Sequence, residues 1–196
     1  MKFREYRELK KSIDKELAKR KHERDEDGRV IINMTVNDDS NFLSPFSENR
    51  ISVISTDVAD FIENNTHSLP PNEKLTLRIH SNCIDENEKK IYNDAIKEYY
   101  TEKYLANEKE AKRNFFIAFM LLLAGIFVLA ISFFLTDLNV EIWSYVVDIV
   151  AWVLLWEAAD ISLLVNRTLS IQRKRYLAYL SMNIAYTSVQ GTGHRE

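Results

Sequence analysis

The longest uninterrupted apolar run in the chain lies at residues 115–135, FFIAFMLLLAGIFVLAISFFL, and contains no charged side chain. An α-helix rises about 1.5 Å per residue, so a run of this length reaches across the roughly 30 Å hydrocarbon core of a bilayer. A second apolar run extends from residue 142 to about 165, after a short linker at 136–141. The pattern predicts a transmembrane helical hairpin at residues 114–165, because helices satisfy their own backbone hydrogen bonds in lipid.

Before these runs, apolar and polar positions alternate with the two-residue period of β-strands. Residues 30–37 place aliphatic side chains on one face, and on the other Ile31 followed by three polar side chains. Residues 74–80 place aliphatic side chains on one face and polar side chains on the other, and 51–54 is a candidate third strand. Between them, Ser55 or Thr56 is a candidate cap for a helix with apolar side chains at helical spacing. The order strand, helix, strand predicts a parallel pair with a right-handed crossover.

A long helix is predicted to connect the two parts. Asp85, with Glu88 three residues later, has the spacing of a capping box. From there to Leu135 the sequence has no proline and a single glycine, Gly125, so the helix is expected to run for roughly 75 Å into the membrane as a rigid connection. The predicted fold class is a small α+β cytosolic domain, with a two- or three-stranded sheet and a βαβ unit, joined by one long continuous helix to a transmembrane helical hairpin.

These patterns set four segments. They are a basic N-terminal helix at residues 1–28, a cytosolic α+β domain with its stalk helix at 29–113, the hairpin at 114–165, and a basic cytosolic C-terminal helix and tail at 166–196. Residues 1–24 carry ten basic and five acidic side chains, and residues 166–196 carry five and one. Both ends are therefore expected to lie against anionic lipid headgroups.

Basic residues flank both predicted spans. Lys103, Lys109, Lys112 and Arg113 precede the first, and Arg167, Arg173, Lys174 and Arg175 follow the second. The linker has no lysine or arginine. Because these residues are retained on the cytoplasmic side, both termini are predicted to be cytoplasmic in a multi-pass protein of the bacterial inner membrane. The charged N-terminus does not have the pattern of a signal peptide, and a single cysteine, Cys83, suits a reducing compartment.

Small residues repeat every seven positions in both spans, at Ala118, Gly125 and Ser132 and at Ser144, Ala151 and Ala158. In an antiparallel hairpin these residues form three facing pairs in one register: Ala118 with Ala158, Gly125 with Ala151, and Ser132 with Ser144. Small side chains let helix backbones approach closely in a membrane. The repeat therefore predicts the interface between the two helices.

Three acidic residues, Asp148, Glu157 and Asp160, lie in or near the second span. Each costs roughly 3 kcal/mol or more if it is left in lipid. Helical geometry points Glu157 and Asp160 away from the small-residue interface. Two interpretations are open: a subunit interface or water-filled pathway formed by oligomerisation, or a span that ends near Trp156 and leaves both carboxylates among the headgroups.

Other chemistry is sparse. The chain has no phosphate-binding glycine loop and no Gly-x-Ser-x-Gly motif. His80 and Cys83 have metal-like spacing but make up only two ligands. Basic and aromatic residues do not interleave as in a nucleic-acid-binding module. We expect no enzyme activity, no metal, no cofactor and no nucleic-acid partner.

Three short sequences carry a resemblance: LSPFS at Leu43–Ser47, Trp156-Glu157-Ala158, and Arg173-Lys174-Arg175. From about Val30 onward the chain resembles a family of small two-span bacterial inner-membrane proteins with a cytosolic α+β domain, whose activity is uncharacterised. The resemblance implies this topology and no particular reaction.

The expected function is that of a homo-oligomeric membrane protein in which a cytosolic sensor domain is coupled to a two-helix module that conducts ions or perturbs the bilayer. The alternative is a membrane-anchored scaffold that recruits a cytosolic protein or a small ligand. Its candidate contact surfaces are the basic N-terminal helix and the polar sheet face, which comprises Asn33, Thr35, Asn37, Thr76, Arg78 and His80.

Overall fold

The computed structural model describes Glu8 and residues 23–45, 52–137 and 141–188. Most of the predicted N-terminal helix, the end of the LSPFS stretch and residues 138–140 of the predicted linker lie outside these residues. The chain divides into two compact units, Met1–Ile96 with Ser181–Glu196, and Lys97–Leu180. Each unit is described by itself.

The first unit contains a three-stranded parallel sheet. Its strands are β1 (Val30–Val36), β2 (Leu75–Ser81) and β3 (Asn183–Thr187), in the order β1-β2-β3. Helix α1 (Thr56–Thr66) connects β1 to β2, so the predicted βαβ unit and small sheet are confirmed. The third strand comes from the C-terminal segment that sequence analysis assigned to a helix and tail. The candidate strand at 51–54 contributes only Ile54, in an isolated antiparallel bridge to Leu43.

The core of this unit follows from the alternation along the strands. Val30, Ile32 and Met34 are buried on one face of β1, and Leu75, Leu77 and Ile79 are buried on β2. Ser55 caps α1 by accepting a hydrogen bond from the Val58 N–H, and α1 buries Ala59 and Ile62. Tyr186 of β3 donates its hydroxyl to Asn93 Oδ1 at 2.9 Å, which ties the last strand to the helix that follows β2.

That helix, α2, runs without interruption from Glu86 to Asp137, as predicted. Its start is the expected capping box: the Glu88 N–H donates to Asp85 Oδ1 at 2.7 Å, and the Asp85 N–H donates to Glu88 Oε2 at 2.7 Å. Among the described residues, one helix is long and apolar enough to cross a membrane, at Glu86–Leu135. Apolar core helices of soluble proteins meet the same criterion.

The second predicted span is helical but not one regular helix. It consists of α3 (Glu141–Asp160) and a π-helical segment (Ile161–Val165), and α4 (Asn166–Leu180) follows directly. In the π segment the backbone N–H of Asn166 donates to the carbonyl oxygen of Ile161, five residues earlier. Such segments are rare and occur frequently at functional sites.

Candidate functional site

The contact between α2 and α3 is a seam of small side chains. Its six predicted members are all buried: Ala118, Gly125 and Ser132 on α2, and Ser144, Ala151 and Ala158 on α3. The Oγ atoms of Ser132 and Ser144 lie 3.1 Å apart, and Ser132 Oγ is also 3.1 Å from the carbonyl oxygen of Ser144. The two buried hydroxyls therefore satisfy each other between the last turns of α2 and the first turn of α3.

At Gly125 the two helices approach each other closely. A Cβ built at Gly125 would be 2.8 Å from Leu155 Cδ2 and 2.9 Å from Leu155 Cγ. The strict seven-residue register pairs Gly125 with Ala151, whereas the nearest atoms belong to Leu155, one helical turn further along α3. The small-residue repeat does not reveal this contact, because Leu155 is a large residue that uses the space the glycine leaves.

The three acidic residues of α3 occupy different environments. Glu157 is exposed, while Asp148 and Asp160 are half-buried. Glu157 makes no hydrogen bond or ion pair with another residue in the part of the chain that the structure describes. It lies beside Ala158, yet it faces outward, since successive helical residues are turned by about 100°. Its carboxylate is therefore available to a group outside the hairpin.

The predicted partner face lies on the first unit, on the sheet side opposite the aliphatic core. Asn33, Thr35 and Asn37 are exposed, and Arg78 and His80 are half-buried. The sheet register sets Asn33 beside Arg78 and Thr35 beside His80. His80 Nε2 lies 3.1 Å from Asn33 Oδ1, so the two strands are linked across this face.

Thr76 corrects this assignment, because it is only 4% exposed. Its hydroxyl donates to Asp25 Oδ2 at 2.7 Å. The Thr76 hydrogen bond is the main cause that lowers the pKa of Asp25, and backbone hydrogen bonds from Arg29 and Asp27 add to it. The turn before β1 thus covers this end of the sheet face, and Thr76 is structural.

Sequence reasoning missed a cavity of about 250 Å³ at the carboxyl end of β1. It is lined by the end of β1 and the following turn (Met34, Thr35, Val36, Asn37, Asp38, Asn41 and Phe42) and by the start of α1 (Asp57, Val58 and Phe61). Ligands of open α/β sheets bind outside the carboxyl ends of the strands, and a polar turn directly after a strand is the signal that could have indicated this position.

In the acidic turn beside this cavity, the carboxylates of Asp38 and Asp39 accept hydrogen bonds from other parts of the same unit. The backbone N–H of Ser40 donates to Asp38 Oδ1 at 3.0 Å, and hydrogen bonds from Ser40 lower the pKa of Asp38. Tyr92 donates its hydroxyl to Asp39 Oδ2 at 2.9 Å. Burial and this contact raise the pKa of Tyr92. The described residues include no group of three potential metal ligands. His80 contacts the side chain of Asn33, and the Cys83 thiol contacts the carbonyl oxygen of Val36.

Comparison of this chain with protein-family models, with curated proteins and with solved structures finds no match. The resemblance drawn from the sequence therefore stays a prediction. Any functional conclusion rests on the chain's own residues.

Proposed function

We propose that α2, from about residue 115, and α3 cross a bilayer as a helical hairpin, in a multi-pass inner-membrane protein with both termini in the cytoplasm. The observation that carries this proposal is an inverted distribution of side-chain size. Ala151 is 0% exposed, whereas Phe133 is 75% and Trp152 is 67% exposed. In water, large apolar side chains drive folding by being buried; in lipid they face the acyl chains, and small residues form the helix contacts.

The size of the exposed apolar surface supports the same proposal. Only 17% of the most apolar window of α2 is buried. Soluble monomers rarely expose contiguous apolar patches larger than a few hundred Å². A hairpin with aromatic and aliphatic side chains outward along both helices needs a bilayer, or another apolar surface, to cover it.

We further propose that the protein is a homo-oligomeric effector whose membrane module conducts ions or perturbs the bilayer under control of the parallel-sheet unit. The boundary between the two units falls within α2, after Ile96, so one helix contributes to both. Glu157 supports assembly, because it faces outward and lacks a partner among the described residues. An unpartnered carboxylate in the bilayer is costly, and a neighbouring subunit that donates to it, or a shared aqueous path, removes that cost.

Ion flux through liposomes that contain the purified chain tests this function. Glu157→Gln preserves size and hydrogen bonding without the charge, and Glu157→Leu removes both. We expect both variants to change flux, and Glu157→Leu also to shift the oligomer size measured by light scattering in detergent. Val153→Leu, at an exposed apolar position of the same helix, is the matched control. Wild-type flux and wild-type oligomer size in both Glu157 variants would contradict the proposal.

The open polar sheet face favours a second candidate, a membrane-anchored scaffold. Asn33 and Thr35 on β1 and Asn37 directly after it form an exposed polar row, which suits a hydrophilic cytosolic partner. The depth of Trp156, which is 75% exposed and adjacent to Glu157, distinguishes the two. In a variant with tryptophan only at this position, quenching by lipids brominated deep in the acyl chain supports the effector, and quenching only at headgroup depth supports the scaffold.

A further inference from the structure

A mixed polar and apolar cavity lies within the second unit, at the start of the apolar run. Its volume is about 530 Å³, and its wall includes residues of α2 and α4. The polar part of the wall contains Asn107, Glu108, Lys112, Asn166 and Arg173. Pockets that bind small molecules have volumes of about 300–1,000 Å³ and a few convergent polar groups on an apolar lining.

Two amide oxygens at this cavity lack hydrogen-bond partners. Asn107 is 5% exposed, and its Nδ2 donates to Gln172 Oε1 at 3.1 Å, while its Oδ1 is buried without a partner. Asn166 Oδ1, at the end of the π segment, is also buried without a partner. Buried polar atoms are almost always paired. Both residues line the cavity, and rotation about the broad terminal torsion of each amide would turn its oxygen toward a donor placed there.

Charged groups of both signs accompany these acceptors. Lys112 Nζ lies 2.9 Å from Glu108 Oε1. The hydrogen bond and charge of Lys112 lower the pKa of Glu108, and Arg173 contributes in the same direction. Glu108 is therefore an anionic acceptor, and Arg173 and Lys112 are cations on the same wall. A ligand that fits carries both an anionic group and an N–H donor.

An apolar groove adjoins the cavity. It has a volume of about 280 Å³ and lies between α2 on one side and α3 with the π segment on the other, with Phe119, Leu122, Leu155 and Leu163 among its lining residues. Phe115 lines both the groove and the polar cavity. This side chain therefore borders both spaces, with the polar one around the residues before the first predicted span and the apolar one within it.

We propose that the cavity and groove bind one phospholipid with a primary ammonium headgroup, of the phosphatidylethanolamine class. Its phosphate pairs with Arg173 and Lys112, its ammonium donates to Glu108 and to the oxygens of Asn107 and Asn166, and an acyl chain follows the groove past Phe115. This inference rests on the proposed membrane hairpin, since the polar wall must lie at headgroup depth.

Native mass spectrometry of the full chain in detergent tests the site, with ethanolamine, choline and glycerol phospholipids of identical acyl chains as probes. The choline lipid has the same charges and phosphate but no N–H donor. One or two hydrogen bonds correspond to about a tenfold preference for the ethanolamine lipid over the choline lipid. Asn107→Leu is expected to reduce that preference toward one, and Arg173→Gln to weaken binding of all three lipids.

Thr168→Val is the control variant, because Thr168 is exposed on α4 and does not line the cavity. Its hydroxyl donates to the carbonyl oxygen of Leu164 in the preceding π segment. Asn166→Leu gives a second test if Asn107→Leu does not fold. Equal binding of ethanolamine and choline lipids by the wild type, stronger binding of the glycerol lipid, or a preference retained in both asparagine variants would overturn the inference. Retention of the chain in membranes after an alkaline wash is measured separately. Release of the chain from the membranes refutes the hairpin. Retention of the chain without a lipid preference refutes only the lipid site.

Discussion

Substitution of Gly125 tests the packing of α2 on α3 most directly. Any side chain at this position meets Leu155, because a Cβ would lie 2.8 Å from its Cδ2, 2.9 Å from its Cγ and 3.4 Å from its backbone nitrogen. The side-chain atoms can move, but the backbone nitrogen moves only if α3 itself is displaced. We therefore expect Gly125→Ala to shift the Leu155 side chain and Gly125→Leu to force the helices apart.

The expected sizes follow from overpacking, which costs about 1–3 kcal/mol in a close-packed interior. Gly125→Ala recovers about 1 kcal/mol through the higher helix propensity of alanine, so its net loss of stability should be about 0–2 kcal/mol. Gly125→Leu adds a branched side chain at the same contact and should lose about 3 kcal/mol, which is roughly a hundredfold change in the unfolding equilibrium.

Unfolding of the purified protein in mixed micelles, followed by circular dichroism, measures these differences. Leu123→Ile is the control, because Leu123 is 47% exposed and away from the seam. Leu155→Ala should partly rescue Gly125→Ala, so that the double variant is less destabilised than the sum of the single variants. Wild-type stability for Gly125→Leu, or strict additivity of the two alanine substitutions, would refute this packing.

Three further predictions concern topology and the first unit. A reporter fused at either terminus should behave as cytoplasmic and one in the linker at 136–141 should not, and a periplasmic signal from a terminus would refute the topology. Thr76→Val should lower stability at neutral pH, because Thr76 holds the pKa of Asp25 below its unfolded value. The stabilisation from this hydrogen bond is present above about pH 4 and is lost as the pH falls through the folded pKa of Asp25. Denaturation curves of the variant and the wild type should therefore converge in acid. Burial raises the pKa of Tyr186 to about 12. The contribution of the neutral phenol to the free energy of unfolding is therefore present below about pH 10 and lost as the pH rises toward 12. Tyr186→Phe leaves Asn93 Oδ1 without this donor and should lower stability by about 1–2 kcal/mol at neutral pH.

The elements that were predictable from sequence are those whose signal is local. The alternation at β1 and β2 and the Asp85-Glu88 capping box each fall within a few residues, and all three occur where expected. The strand at Asn183–Thr187 was missed because five residues after a basic helix carry little pattern of their own. Its identity as a strand depends on pairing with β2, a partner about a hundred residues earlier in the chain.

The candidate sites divide in the same way. The seven-residue repeat identified the small side chains that lie buried between α2 and α3, because periodicity records which residues share a helix face. The polar sheet pattern misassigned Thr76, because alternation gives the side of the sheet but not whether a loop covers it. The unpartnered oxygens of Asn107 and Asn166 leave no trace in sequence. They arise where two helices distant in the chain meet, so their pairing depends on a long-range contact and not on neighbouring residues.

The seam also determines which side chains of α3 are available for contacts outside the hairpin. With Ala151 and Ala158 turned toward α2 and buried, Glu157 cannot join the seam unless α3 rotates by about 100° and moves both alanines out of it. The hydrogen bonds between Ser132 and Ser144 oppose such a rotation. An unpartnered carboxylate in a bilayer costs about 3 kcal/mol, which corresponds to roughly a hundredfold in an equilibrium constant. A membrane-embedded hairpin of this geometry therefore favours any assembly that gives Glu157 a donor or water, and the flux and oligomer measurements on Glu157 variants are sensitive to that difference.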